Sequence, residues 1–297
     1  MYSVILISMD FPLSEIPVCD FPKRLLEIPE PPKKLYIKGT LPDWDRKFLA
    51  VVGSRKYTSY GKRAVETLIS GLRGKNVTIV SGLALGIDGV AHRAALSANL
   101  PTIAIPGSGL SEKVIYPASN AGLARKICEC GGTLLSEYDP DFKATNWSFP
   151  RRNRVMAGLA DAVFVIEAEQ KSGTLITSRL ATEYNRDVLT IPHNIFSPTG
   201  EGPHMLIRLG ATPIRDSAEL AEALGLDNST MEEKDVYGDC SPEELSVITI
   251  LDEPKPRDYI IGKINIPVSD ANALLALMEI KGLIKEEMGE IRKICNI

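Results

Sequence analysis

From residue 48 onward the chain alternates between two patterns. Short runs that are apolar but for single threonines, at 48–52, 77–80, 102–105, 133–135, 162–166 and 188–191, are separated by stretches with apolar residues at helical spacing, at 60–72, 87–98, 118–129, 151–159 and 174–184. A run with no polar face suits a parallel strand buried on both sides, and the stretches between suit amphipathic helices. Strands alternating with helices imply right-handed crossovers and an α/β, doubly wound, mostly parallel sheet. Ligands in such sheets sit beyond the carboxyl ends of the strands, so the strand tips are the place to look for function.

Both ends of the chain depart from this pattern. Pro12, Pro17, Pro22, Pro29, Pro31 and Pro32 leave no room for a long helix before residue 35. Residues 35–39 then read as a short edge strand leading into the main domain. Residues 227–239 are acidic and weakly apolar, the composition of a linker. Ser241-Pro242-Glu243-Glu244 signals a capped helix start with proline in its first turn. Two more helical stretches, 257–264 and 269–281, precede a hairpin signal from Gly282 through Met288-Gly289 to Ile294. Three helices and a hairpin make a small C-terminal winged-helix domain. Its third helix carries few basic residues, so protein contact or plain packing is as good a reading as duplex binding. The expected organisation is a proline-rich segment 1–44, an α/β domain 45–226, a linker 227–240 and a winged helix 241–297.

The strand tips are rich in glycine and small hydroxyls. They comprise Gly53-Ser54-Arg55-Lys56, the turn from Ser81-Gly82 to Gly86, Gly107-Ser108-Gly109, and Ser172-Gly173-Thr174. Tight strand-to-helix turns account for any one of these glycines. Four such turns on one sheet point instead to an anion held by backbone amides. No Walker loop is present, and Gly53 lacks the two further glycines of a dinucleotide fingerprint.

One stretch concentrates chemistry. Trp147-Ser148-Phe149-Pro150-Arg151-Arg152-Asn153-Arg154 places two aromatics, three arginines and an asparagine just ahead of the 162–166 strand. With Pro150 opening a helix, the arginines fall in its first turn, where a cation is disfavoured unless an anion joins it. A phosphate there would meet free amides and guanidinium forks, and the rings offer surfaces for a stacked base. A solvated basic turn with Phe149 in the core is the competing reading.

Composition sharpens this. The net charge of −4 hides an asymmetry: residues 45–154 hold 16 Lys/Arg against 8 Asp/Glu, and the remainder 18 against 30. A basic half within an acidic protein argues for a localised anionic partner. Five cysteines, an odd number, point to a reducing compartment. Cys128 and Cys130 have no second pair at ligand spacing, so no metal site is expected. No apolar run reaches a membrane span, and residues 1–7 lack a basic start and a cleavage site. A cytoplasmic protein with no membrane partner is the expectation.

Catalytic constellations are missing. His92, His193 and His204 have no nucleophile or ligand partner at a recognisable spacing. His92 reads as packed or phosphate-facing, Asp88 as a cap or loop anchor, and Glu167 as the best lone carboxylate. Neither an enzyme nor a cofactor is expected.

Gly53-Ser54-Arg55, Ser81 to Asp88, Pro106-Gly107-Ser108-Gly109 to Tyr116-Pro117, Phe149 to Arg154, and Ser172-Gly173-Thr174 follow in this order. Together, over about residues 35–225, they resemble the DNA-processing protein A family, also called DprA or Smf. The resemblance implies an extended Rossmann-like domain that binds single-stranded DNA, forms a homodimer, and loads a RecA-type recombinase during natural transformation. It implies that Arg55 contacts a phosphate, that Phe149 stacks on a base or walls the pocket, and that Arg151, Arg152, Asn153 and Arg154 bind DNA or hold the loop. The glycine turns would line the same pocket. Two departures stand out. Asn146 replaces the lysine that some relatives have three residues before the phenylalanine, so that contact is either lost or supplied by Lys143. The longer N-terminal helical module of many relatives is reduced to a short segment. A weaker resemblance links the sheet and Gly173-Thr174 to lysine-decarboxylase-like phosphoribohydrolases. Thr177 stands where those enzymes have their catalytic glutamate, and Glu169-Gln170-Lys171-Ser172 replaces their first glycines. That substitution counts against glycosidic chemistry.

Overall fold

The computed structural model describes residues 11–226, 240–251, 255–264, 266–281, 283–287 and 289–293. It divides into two compact units, Met1–Asn228 and Ser229–Ile297.

The described residues of the first unit are built on a nine-stranded sheet. Its parallel part runs through β3 (Lys47–Val52), β4 (Val77–Ser81), β5 (Thr102–Ala104), β6 (Thr133–Ser136), β7 (Ala162–Val165), β8 (Asp187–Thr190) and the two-residue β9 (Thr212–Pro213). Two antiparallel strands, β1 (Leu13–Ile16) and β2 (Leu35–Gly39), complete it in the order β1-β2-β6-β5-β4-β3-β7-β8-β9. Successive residues of β3 point to opposite faces, as strand geometry requires. Leu49 and Val51 join one core with Val65, Ile69, Ala91 and Leu220. Phe48, Ala50 and Val52 join the other with Val155, Leu159 and Ala181. Helices therefore cover both faces: α2 (Ser59–Ser70), α3 (Ile87–Ser97) and α8 (Ser217–Ala223) on the first, and α1 (Lys23–Leu26), α5 (Ser148–Leu159) and α6 (Thr174–Glu183) on the second. The inner strands are mostly apolar because neither face meets water, and the few polar residues they bury, Thr78, Ser81, Thr102, Thr133, Ser136 and Thr190, are threonines and serines.

The topology locates the crevice. The chain moves outward from β3 through β4, β5 and β6, then returns to place β7 on the other side of β3. The helices following β3 and β7 leave toward opposite faces, which opens a gap at the carboxyl ends of these two neighbours.

The proline-rich segment is not a separate piece. Residues 35–39 are an inner strand, because β1 pairs with β2 antiparallel and takes the edge. Prolines stop a long helix, yet Ile16, Phe21, Leu25 and Ile28 between them are buried in the second core. Beyond β8 lie α7 (Glu201–Arg208), β9 and α8, all unanticipated from the apolar pattern.

The second unit opens with α9 (Pro242–Ile250), whose Ser241 and Glu244 form a reciprocal capping box. It continues with β10 (Lys255–Pro256), α10 (Arg257–Lys263), α11 (Val268–Ile280), β11 (Ile284–Glu287) and β12 (Glu290–Lys293). The strands form a small sheet in the order β10-β12-β11. Val247, Ile260, Leu275, Met278, Ile284 and Ile291 form its core. The linker expected at 227–239 lies outside the described residues, as do residues 282, 288 and 294 of the expected hairpin. No helix among the described residues is long and apolar enough to cross a membrane.

Candidate nucleic-acid interface

A cleft of about 630 Å³ opens where the topology predicts, lined by the turns after β3 and β7 and by the start of α5. Of the residues singled out in sequence, it gathers Gly53, Ser54, Arg55, Lys56, Phe149, Arg152, Asn153, Ser172, Gly173 and Thr174.

The turn after β3 is built to present cations. A Cβ on Gly53 would lie 2.6 Å from Ile87 Cγ1, so the residue is small to let α3 approach. The Lys56 amide donates to Ser54 Oγ at 3.0 Å, which shapes the turn and leaves Arg55 and Lys56 exposed. Thr58 caps α2, with Gly61 N–H donating to its Oγ1 at 3.1 Å. Glu167, fully buried, accepts from both the amide and the hydroxyl of Thr58. The lone strand-tip carboxylate is thus an anchor for the basic turn, not a catalytic base.

Phe149 stands at the centre. Its ring lies on Gly107, where a Cβ would come within 2.6 Å of Cδ1. Arg55 Cζ sits 5.5 Å above the ring centroid, and the half-exposed Tyr116 ring lies 5.5 Å away at 47°. Phe149 is half-buried, so the core reading does not hold. The helix α5 begins at Ser148, earlier than expected, because Ser148 Oγ donates to the Gly107 carbonyl at 2.6 Å and fastens the helix start to the β5 turn.

The arginines separate into three roles. Arg152 is 5% exposed, and its Nη1 donates to the carbonyls of Gly82 and Ile105 while Nε donates to Asn153 Oδ1 at 3.1 Å. Burial lowers its pKa to about 10, so it remains a cation at neutral pH. Beside it, burial raises the pKa of Asp88, an effect that the Arg152 charge and two backbone donors, Gly82 and Ala84, oppose. Arg154 is buried away from the cleft, held by Glu137 and the Glu30 carbonyl. Arg151 is exposed outside the cleft, with Nε 3.5 Å from Glu137. Arg154, expected to bind DNA or hold the loop, is 6% exposed with its guanidinium paired to Glu137, so its side chain is not presented to the cleft.

Several expected phosphate-pocket residues pack instead. Ser81 and Ser108 are fully buried, with their hydroxyls donated to the carbonyls of Val51 and Gly109. The Gly82 amide is taken by Asp88, although Gly82 does line a small hollow beside the cleft with Leu85 and Tyr116. Gly86 has φ +86° and lies against the Ser54 carbonyl, a fit that any Cβ would spoil. Gly109 packs on the carbonyls of Asp139 and Pro140. These glycines serve close backbone packing beneath the cleft.

Tyr116, Asn146, Asp88, Glu169 and Thr177 also line the cleft, beyond the residues expected to contact DNA or form the phosphate pocket. Glu169, exposed and just past the β7 tip, carried a positional signal in sequence; Tyr116, inside a long aperiodic segment, was marked only by the motif that ends at Tyr116-Pro117. His92 is buried, with Nδ1 2.7 Å from Thr102 Oγ1, and burial lowers its pKa to about 3. Among the described residues no group of His, Cys, Asp or Glu is arranged to hold a metal ion. Thr177, in the cleft lining, brings a hydroxyl and no carboxylate to the position where the phosphoribohydrolases have their glutamate.

Comparison with known proteins bears on this geometry. The family model described as DNA recombination-mediator protein A matches residues 16–225. Protein Smf of Escherichia coli (strain K12) is 36% identical over 93% of this chain and 76% of its own. The DNA processing protein DprA of Bacillus subtilis (strain 168) is 39% identical over 71% of each. Among solved structures, DNA processing protein A of Streptococcus pneumoniae matches with TM-score 0.66 and 39% identity, over 72% of this chain and 74% of its own. DNA processing protein A of Helicobacter pylori, solved for its unique single-stranded DNA binding mode, matches with TM-score 0.65 and 32% identity, over 72% of this chain and 96% of its own. A cleft at the reversal point of a nine-stranded sheet, a family match spanning nearly all of that unit, and relatives alike over most of their length lead to one placement: the chain belongs to the DNA recombination-mediator protein A family.

Proposed function

We propose that the chain binds single-stranded DNA in this cleft, protects incoming strands in the cytoplasm during DNA uptake and recombination, and loads a RecA-type recombinase. The observation that carries the reading is Phe149 seated on Gly107 with Arg55 over its ring. An aromatic face beside a free cation can hold a base and its phosphate without regard to sequence. The Helicobacter pylori relative, described by its single-stranded DNA binding mode, supports the same ligand. A duplex would present its bases stacked inside, out of reach of such a ring. Arg55, Lys56, Phe149 and Asn153 are the contacting residues in this reading, Arg152 and Arg154 the positioning ones. The β7 turn, Ser172-Gly173-Thr174, supplies the opposite wall, where Glu169 discourages a phosphate.

We assign the working form as a homodimer, whose paired clefts would raise avidity on one strand, and read the C-terminal unit as a winged helix. The test titrates labelled oligothymidylate and a duplex of equal length at several salt concentrations, with light scattering on the same samples. Tighter binding to the single strand and a mass near twice 32.4 kDa are expected. Equal affinity for the duplex would overturn the ligand, and a monomer with DNA bound would overturn the assembly.

A further inference from the structure

Trp147 and Phe149 stand two residues apart at the start of α5, and side chains so spaced leave a helix on nearly opposite sides. Phe149 takes its neighbours from the cleft. Trp147 is absent from the cleft lining and takes its neighbours from the segment after β6, with ring centroids 5.9 Å from Tyr138 and 5.6 Å from Phe142. Those two rings are stacked on each other at 4.4 Å. The support is well fastened. Tyr138 donates its hydroxyl to the Ser148 carbonyl at 3.0 Å, and the Gly109 amide donates to the Phe142 carbonyl at 2.8 Å. On this rigid base Trp147 still leaves 53% of its surface in water.

A lone exposed apolar side chain is ordinary. An indole held in place by two rings, one helical turn from an exposed arginine, is a different object. The Arg151 amide donates to the Trp147 carbonyl at 3.4 Å, and its side chain is 55% exposed. Asn146, next to Trp147 in the chain, already lines the cleft. A strand leaving the cleft past Asn146 therefore meets an aromatic face and a cation together.

We infer that Trp147 and Arg151 form a second platform for single-stranded DNA, on which a base stacks and a phosphate pairs just after the strand leaves the cleft. This rests on the reading that the cleft binds single-stranded DNA, and it gives Arg151, which the cleft excludes, a place on the path. One base cannot cover both Phe149 and Trp147, so the platform adds to the cleft instead of duplicating it.

The experiment uses the full chain and oligothymidylates of about 4 and about 16 nucleotides, the range that single-strand sites cover. Trp147→Ala should bind the longer strand about 5- to 150-fold more weakly and the shorter one within about twofold of the parent. Trp147→Phe should restore the affinity. Binding of the longer strand should quench intrinsic fluorescence in the parent and not in Trp147→Phe, since the chain's other tryptophan, Trp44, packs near Phe48. Arg151→Gln should flatten the salt dependence of the longer strand by about 0.7 log units and leave the shorter one unchanged. Should Trp147→Ala melt early, the Phe variant and the quenching carry the test. Parent-like binding of both strands by Trp147→Ala, while Phe149→Ala loses both, would overturn the platform and leave the cleft standing. Equal weakening on both lengths would also overturn it, making Trp147 a support of the cleft. A parent protein that binds neither strand would overturn both readings.

Discussion

Replacing Arg152 by alanine should damage the fold before it damages binding, and replacing Arg55 should do the reverse. The guanidinium of Arg152 is the donor for two backbone carbonyls, Gly82 and Ile105, that belong to different strand tips. Removing it orphans both, at roughly 1–3 kcal/mol each. It also removes the charge that counters the burial of Asp88. The combined loss is on the order of 3–5 kcal/mol, the range seen when one partner of a buried charge pair is deleted. For a unit of this size each kcal/mol lowers the melting temperature by about 2–4 °C, so a fall on the order of 10 °C is expected. Arg55 is exposed and rests on the Phe149 ring, so its alanine variant should melt within about 2 °C of the parent. Its signature lies in binding, where the log–log salt slope on single-stranded DNA should flatten by about 0.7. Calorimetry without DNA, followed by anisotropy titrations from about 50 to 200 mM salt, separates the two. An Arg152→Ala protein that melts like the parent and loses salt slope would refute the reasoning, because its guanidinium would then have been serving phosphate.

The remaining expectations follow from the same geometry. Phe149→Ala should weaken single-strand binding by about 1–3 kcal/mol at every salt concentration, with the slope unchanged because stacking is not ionic; a changed slope counts against stacking. Gly107→Ala places a methyl against Phe149 Cδ1 and should shift that ring, lowering affinity much as Phe149→Ala does; unaltered affinity would mean the ring's seat is unimportant. His92, with its pKa near 3 against about 6.5 unfolded, accepts a proton only on unfolding. Its contribution is full above about pH 6.5 and is lost by about 1.4 kcal/mol per pH unit as pH falls toward 3. His92→Gln should therefore have a flatter stability profile between about pH 6 and pH 4, and a parallel profile in thermal melts would sink this.

Much of this was legible in sequence because parallel strands covered on both faces must be mostly apolar, and close strand–helix turns need small residues. Val77–Ser81 is buried at every position, and its apolar run was visible before any coordinates. The N-terminal strand was not, because prolines dominate its surroundings and Leu13–Ile16 has a single buried residue. Arginine roles were also out of reach. Nothing in Arg-Arg-Asn-Arg distinguishes a residue whose partner is a carbonyl from the β4 turn, or Glu137, from one open to a ligand. Tyr116 reaches Phe149 from an aperiodic segment that only the family resemblance marks.

That internal use of cations bears on the whole basic half. Residues 45–154 carry 16 Lys/Arg, which on its face suggests a broad anionic contact. Yet Arg46 donates to the carbonyls of Lys75 and Val77, Arg73 to that of Ser97, Arg152 to those of Gly82 and Ile105, and Arg154 is held by Glu137. Lys47, Lys62 and Arg125 face Asp161, Glu66 and Glu112. Around the cleft the lining cations are Arg55, Lys56 and the buried Arg152, opposite Glu169. Arg152 is committed to its backbone carbonyls, so Arg55 and Lys56 neutralise one or two phosphates when a short strand fills the cleft, and each contributes about −0.7 to the slope. A log–log salt slope of about −0.7 to −1.4 per cleft is expected for a strand of about 4 nucleotides. Affinity must accordingly come in large part from stacking on Phe149 and from polar groups of the β7 turn, and should survive moderate salt. A slope steeper than about −4 on the short strand would mean that many more of these cations release their internal partners for DNA than the structure allows.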